Sequence, residues 1–418
     1  MILQYNRSSL QGEVHLPTSK SMSNRALIIQ ALAENKITME NLSSANDTVL
    51  LQNLLHQIQH HYSDGMEIDV QDAGTSFRFL LAYLSIQEGK KFVLTGTKRM
   101  QERPIAALVN ALRDLGADIE YVHHQEFPPL IIHGKKLSGH EVLIHANDSS
   151  QFVSALCLIA PVLPQGLCIQ IADQLVSDSY VYMTLDMMKQ AGISFVFEGN
   201  KINIPPQTYA ETLFEIEADW SSASFFYAMA MLIPETSLTL HGLRLPSLQG
   251  DANIVSIAKN FGVETTSTPH SIQIKSPEVV QTKAMQLDVQ SFPDMAIPLL
   301  VACAIRYPET VFTGIQHLVH KESNRLLALQ TELKKVNCIL HYEKDLLRFE
   351  GSFIPSTNSQ VLSFQTYHDH RLAMSFSFFA LLGYTVELDD ADCVCKSFPN
   401  FWEELKGLGV QVVSSYRR

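Results

Sequence analysis

VNALRDLGADIEYV, residues 109–122, carries the pattern that organises the whole chain: an amphipathic run, a glycine at 116 that stops a helix, then alternating residues suited to a strand. Four more copies follow. They read LDMMKQAGISFVF (185–197), VSIAKNFGVETTS (255–267), LQTELKKVNCILHY (329–342) and WEELKGLGVQVVS (402–414). The stop residues Gly116, Gly192, Gly262, Asn337 and Gly409 are spaced 76, 70, 75 and 72 residues apart. A period near 70 is longer than that of solenoid repeats, and 418 residues hold about six such units, so the pattern predicts a duplicated α/β module.

A second series has the same period. Six polar clusters, SKSMSNR (19–25), DAGTS (72–76), NDSSQ (147–151), DWSSAS (219–224), SFPD (291–294) and YHDHR (367–371), each precede a nearly all-apolar run of helix length. Helices apolar all round must be buried, whereas the amphipathic helices of the first series belong outside. Each module is therefore expected to carry one inner helix, one outer helix and strands. The first-turn N–H groups of the inner helices are unpaired and carry roughly half a positive charge, so parallel inner helices would make an anion well. The Ser, Asp and Asn residues of a single cluster read equally as ordinary N-caps.

Composition narrows the function. An apolar fraction of 46% with 18% charged residues fits a folded chain of two or three compact units rather than a disordered or coiled-coil one. The net charge of −12 repels a nucleic-acid backbone, which disfavours a DNA or RNA partner. Six scattered cysteines are no disulfide scaffold and fit a reducing cytoplasm. The start MILQYNRSSLQGEV has no charged head and apolar stretch of a secretory leader, and no apolar run reaches the ~20 residues that span a bilayer. No metal site is expected at Cys393 and Cys395, or at His60, His61, His123 and His124; a pair at His368 and His370 ranks below anion binding because Arg371 stands beside it.

Capping needs no cations, yet Lys20, Arg25 and Arg371 lie inside the clusters and Arg78 two residues past the second, against the helix dipole. Arg103, Lys321, Arg325 and Lys396 occupy related positions. Together they point to a small ligand with more than one anionic group, since Arg grips carboxylate or phosphate in bidentate fashion and Lys acts as a point charge. Two acids stand out among these cations. Asp294 reads either as an N-cap or as a catalytic group, and Glu322 either as an ion-pair partner or as a catalytic group, because carboxylates among cations can take opposite acid and base roles.

The ordered motifs PTSKSMSNRAL, DAGTSFR, QERP, SSQF, LVSDSY, SSAS, SLQGD, PDMA, KESNRL, DHRLAM and KSFP span the chain, and in this order they resemble the enolpyruvyl transferases, in the branch that uses shikimate 3-phosphate. The resemblance implies an α/β fold of two similar domains, each of three βαβαββ units, an inside-out α/β barrel. One domain would be residues 19–218, the other 1–18 with 219–418, closing over the substrates through a double hinge. The implied reaction transfers the enolpyruvyl group of phosphoenolpyruvate to the 5-hydroxyl of shikimate 3-phosphate and releases phosphate, with no cofactor and no metal. The partners would be these two small molecules only, with no nucleic acid or membrane, and the enzyme a cytoplasmic monomer.

By the same resemblance, Lys20, Ser21, Arg25, Ser149, Ser150, Gln151, Ser177, Tyr180, Asp294, His317 and Lys321 would hold shikimate 3-phosphate. Lys20, Gly74, Arg103, Gln151, Arg325, Arg371 and Lys396 would hold phosphoenolpyruvate. Asp294, Glu322 and Lys20 would be catalytic. The chain departs from the family pattern at Thr18, Asp72, Phe79, His317 and Asn324. His317 stands where an Asn contacts the acceptor substrate, Asn324 where an Asp is usual, and Asp72 adds a negative charge near an anion site. These changes keep two rivals open: a transferase for another hydroxylated acceptor such as UDP-N-acetylglucosamine, and an inactive ligand-binding relative.

Overall fold

A computed structural model describes all residues except 35, 146–148, 174, 279–283, 352, 354–360 and 414–418, so the start of the NDSSQ cluster lies outside the described residues. The all-apolar runs form six largely buried helices: Lys20–Leu32, Gly74–Ser85, Ser150–Ile159, Trp220–Leu232, Ala296–Arg306 and His370–Phe376. Trp220–Leu232 is buried at every position, so it has no solvent face at all. Burial of each large apolar side chain contributes ~1.5–3 kcal/mol, and these helices are the centre of the core.

The runs of the first series, stopped by glycine or by Asn337, form Ala106–Asp114, Ser179–Gln190, Ile254–Lys259, Arg325–Leu333 and Phe401–Gly407, each buried along part of its surface only. Their stop residues all adopt left-handed φ, from 61° at Asn337 to 101° at Gly116. That conformation ends a helix and turns the chain into the next strand.

The strands make five four-stranded sheets and one two-stranded sheet among the described residues. The four-stranded sheets share one plan. Met66–Asp69 pairs in parallel with Lys91–Thr95 across the helix Gly74–Ser85; Leu130–His133 then runs antiparallel to Lys91–Thr95, and Asp118–Tyr121 closes the sheet. Gln286–Asp288 with Val311–Thr313, and Glu141–Ile144 with Leu167–Ile171, open their sheets in the same way. This is the βαβαββ module. The sixth departs from it: Thr212–Glu215 and Ile37–Glu40 pair alone. Only residues 61–65 separate the helix Asn46–His60 from the strand Met66–Asp69, too few for a hairpin.

The chain divides into two compact units, Ser19–Ile216 and Met1–Thr18 with Glu217–Arg418. The two passages between them lie side by side in the second unit, where Thr18 bridges Ala218 and Pro17 O accepts from Asp219 N at 2.8 Å. Among the described residues each unit contains three sheets and three of the buried helices. Within Ser19–Ile216 the helices Lys20–Leu32, Gly74–Ser85 and Ser150–Ile159 pack on one another. Within the other unit Ala296–Arg306 packs against both Trp220–Leu232 and His370–Phe376.

Candidate active site

In the unit Ser19–Ile216, the Ser19 side chain caps the first buried helix by accepting from Met22 N at 3.4 Å. This places Lys20 in the first turn, with Nζ 2.9 Å from Asp47 Oδ2. Asp47 is joined to the second buried helix, because its carbonyl accepts from Ser76 Oγ at 3.5 Å. Arg25 is one turn further along and 1% exposed. Its Nε donates to Thr184 Oγ1 at 2.7 Å, Nη1 to Ser21 O at 2.9 Å and Nη2 to Tyr180 O at 3.0 Å. The guanidinium also lies over the rings of Phe79 and Tyr180. All these partners are neutral. Burial pulls its pKa down to about 10, so it stays charged at neutral pH.

Gly74 opens the second buried helix, and its carbonyl accepts from Arg78 Nη1 at 2.9 Å. A Cβ at Gly74 would stand 2.8 Å from Arg78 Nη1 and closer still to Arg103 Nη1. Only glycine lets two guanidiniums come this close to the helix start. Ser149 caps the third helix by accepting from Gln151 N at 3.2 Å, and Gln151 Nε2 donates to Thr75 Oγ1 at 3.0 Å. Gln151 Oε1 is then buried with no hydrogen-bond partner among the described residues. Ser150 is buried beside it. Ser177, also buried, holds φ at 57°, a conformation costly for a residue with a Cβ, and its carbonyl accepts from Tyr180 N at 3.1 Å. Ser21, Arg25 and Tyr180 thus form one bonded group with Lys20 held beside it by Asp47, and Gly74, Arg78, Arg103 and Gln151 gather at the next two helix starts.

The second unit is organised around Arg325, which is 0% exposed. Its Nε donates to Asp369 Oδ2 at 2.8 Å and its Nη2 to Glu322 Oε2 at 2.9 Å, while Nη1 lies 3.8 Å from Asp294 Oδ1. Burial opposes its charge, but Asp369, Glu322 and Asp294 overcome this and hold its pKa above the ordinary value. Arg371 Nε approaches Asp294 Oδ1 at 3.0 Å and its Nη1 donates to Asp294 O at 3.1 Å. Lys396 Nζ is 3.9 Å from Glu322 Oε1. Two carboxylates, each partly exposed, are thereby held in place by two guanidiniums and an ammonium.

Asp294 is no N-cap: Met295 occupies that position and makes no side-chain cap. Glu322 is an ion-pair partner, as one of its readings had it. The N-cap reading holds for Asp219 and Asp369, which accept from Ser221 N at 3.1 Å and Arg371 N at 3.0 Å. His317 is buried, and burial together with the nearby Lys321 and Arg325 pushes its pKa down to about 3. It is a neutral imidazole in the field of Asp294, with Nε2 unpartnered among the described residues. Asn324 spends its side chain capping Arg325–Leu333, accepting from Leu327 N at 3.2 Å, a task an Asp performs equally. Asp72 is exposed and accepts from Thr97 Oγ1.

Two further acids belong to this cluster. Asp219 and Asp251 are buried, and burial raises both carboxyls, with repulsion from Asp294 adding to the rise and Arg371 opposing it. Asp251 takes a hydrogen bond from Ser221 Oγ and leaves Oδ1 unpartnered among the described residues. The motif SLQGD contains Asp251, but nothing in its spacing ties it to residue 294. His368 and His370 diverge, the first exposed against Asp390 and the second 1% exposed. A concavity of about 590 Å³ lies at the far end of the first buried helix, lined by Leu32, Ala33 and Pro161–Pro164, and holds none of the cations above.

The model of the EPSP synthase family (3-phosphoshikimate 1-carboxyvinyltransferase) matches residues 5–405. A 3-phosphoshikimate 1-carboxyvinyltransferase of Bacteroides fragilis is 40% identical over 410 residues, 97% of each chain. One from Colwellia psychrerythraea is 35% identical, covering 95% of this chain and 96% of its own. Among solved structures, EPSP synthase from Acinetobacter baumannii superposes with a TM-score of 0.76 at 22% identity over 99% of both chains. The enolpyruvyl transferase NikO from Streptomyces tendae gives 0.74 at 14% identity, covering 98% of this chain and 97% of its own. At such identities the superpositions speak for the fold alone.

Proposed function

The chain belongs to the EPSP synthase family, and on that premise we propose that it is a 3-phosphoshikimate 1-carboxyvinyltransferase of the shikimate pathway, which leads to chorismate and the aromatic amino acids. The observation that carries the reading is the pairing of Asp294 and Glu322 with Arg325, Arg371 and Lys396, two carboxylates of separate chain segments held among cations. Such a set suits a reaction with two proton transfers and a highly anionic intermediate.

We assign Lys20, Ser21, Arg25, Ser149, Ser150, Gln151, Ser177, Tyr180, Asp294, His317 and Lys321 to shikimate 3-phosphate. Lys20, Gly74, Arg103, Gln151, Arg325, Arg371 and Lys396 are assigned to phosphoenolpyruvate. Asp294 takes the proton of the 5-hydroxyl as its oxygen bonds to C2 of phosphoenolpyruvate, and Glu322 gives a proton to C3. The methyl group of the resulting tetrahedral intermediate then returns a proton, the C2–O bond to phosphate breaks, and phosphate leaves with that bond's electrons. Lys20 and the guanidiniums hold the charge throughout. The buried neutral imidazole of His317 has a ring nitrogen free to meet the acceptor, so it replaces an Asn as a hydrogen-bonding group. All six cysteines are free thiols, which suits a cytoplasmic enzyme.

Product analysis tests the assignment. Incubation with phosphoenolpyruvate and shikimate 3-phosphate should yield the 5-enolpyruvyl adduct by mass spectrometry, while UDP-N-acetylglucosamine should give none. An adduct with the nucleotide sugar alone would move the chain to the other acceptor class.

A further inference from the structure

In the unit formed by residues 1–18 and 217–418, the strands Gln11–His15 and Ser237–His241 run parallel, with Thr239 opposite Glu13 and His241 opposite His15. Side chains two apart on a strand share a face, and directly opposed residues face each other across the pair. Glu13, His15 and His241 therefore share one surface. Glu13 and His15 are exposed and His241 is half-buried, and one ligand atom from each lies within 4.8 Å of the other two. His241 Nε2 is 3.2 Å from Glu13 Oε2. That matches the separation of about 3.3 Å between neighbouring ligands around tetrahedral zinc. The imidazoles stack with centroids 4.6 Å apart and planes 11° from parallel.

The backbone beneath is fixed. Gln11–His15 is an edge strand, and such edges leave N–H groups open. Here Glu404 Oε2 accepts from His15 N at 2.9 Å, and Asn400 Nδ2 donates to His15 O at 3.4 Å. The strand Ser237–His241 is held on its other side by Ser271–Lys275.

We propose that Glu13, His15 and His241 form a binding site for a divalent transition-metal ion, of the zinc, cobalt or nickel class. Two imidazoles and one carboxylate suit these ions, whereas magnesium and calcium prefer all-oxygen shells. Binding replaces the contact between His241 and Glu13, and the ion joins the ends of the two strands. Those ends adjoin both passages of the chain: His15 precedes Leu16–Thr18, and Gly242 O accepts from Ala218 N at 2.9 Å. The site is separate from the residues assigned to the substrates and is independent of that assignment.

Calorimetric titration with Co²⁺ and Zn²⁺, with cobalt absorption to separate thiolate from imidazole ligation, tests it on the full chain. Wild type should bind one more equivalent than the His15→Gln/His241→Gln protein, and Glu13→Gln should weaken that equivalent about tenfold or more. At a hundredfold excess over the dissociation constant, zinc should raise the wild-type Tm by roughly 5 °C or more and leave the double variant's response smaller. Equal stoichiometry and equal Tm response in the two proteins would overturn the site. Should the double variant fold poorly, zinc must still shield His15 and His241 of the wild type from diethyl pyrocarbonate; unchanged modification of both would also overturn it.

Discussion

Arg25 and Arg325 are both fully buried arginines near the starts of helices, one in the second turn and one at the first position, and they are held in opposite ways. Arg25 bonds to a hydroxyl and two carbonyls, and its pKa is lowered. Arg325 bonds to carboxylates of Asp369 and Glu322, lies near Asp294, and its pKa is raised. A buried charge with neutral partners keeps its field for an incoming anion, while one surrounded by carboxylates is neutralised where it stands and fixes their positions. On the proposed assignment, Arg25 would serve attraction and Arg325 the placement of Asp294 and Glu322.

The contrast breaks most visibly at Arg325. Arg325→Met leaves the buried Asp369 and its neighbours without their cation, so we expect a loss of ~3–5 kcal/mol in unfolding free energy by denaturant titration, and inactivity with it. Asp294→Asn and Glu322→Gln should lower kcat by ~10²–10⁴-fold while calorimetry still detects shikimate 3-phosphate. Equal losses of rate and binding would make them structural residues instead.

Arg25→Met removes a cation from neutral partners at little cost to the fold, so Tm should stay close to wild type. The KM for shikimate 3-phosphate should rise by about 10–100-fold, the worth of a hydrogen bond to a charged group. A collapse in Tm with unchanged KM would erase the distinction between the two arginines. Gly74→Ala displaces Arg103 and Arg78, and a severalfold rise in KM for phosphoenolpyruvate is expected in steady-state assays.

A pH-dependent effect concerns Asp251. Its folded-state pKa lies above the unfolded value, so its stabilising contribution is complete below about pH 4 and is lost as pH rises through the raised pKa of about 7. Asp251→Asn should therefore gain Tm relative to wild type between pH 5 and pH 8. A difference that is constant or falls would place the carboxyl in a less repulsive setting.

The fold was largely legible, because helix stops at a fixed period are local features: a left-handed residue after an amphipathic run reads the same in every copy. The shortened sixth module was not, since it depends on where strand Thr212–Glu215 returns rather than on any local signal. Lys20, Arg78 and Arg371 stood out as candidates by their placement against the helix dipole, whereas Arg103, Lys321 and Lys396 lie outside the helix starts along the chain. Asp219 and Asp251 were not, because Asp219 does cap a helix and Asp251 reaches the site only through packing of the second unit. The group Glu13, His15 and His241 is invisible for the same reason, being created by strand register between segments more than 200 residues apart.

The most direct test of the whole account is the initial rate of phosphate release by the wild-type protein, read beside its thermal shift with each substrate. We predict release that saturates in both phosphoenolpyruvate and shikimate 3-phosphate and is absent with either alone. Thermal stabilisation by both substrates without phosphate release would contradict it and make the chain a binding protein.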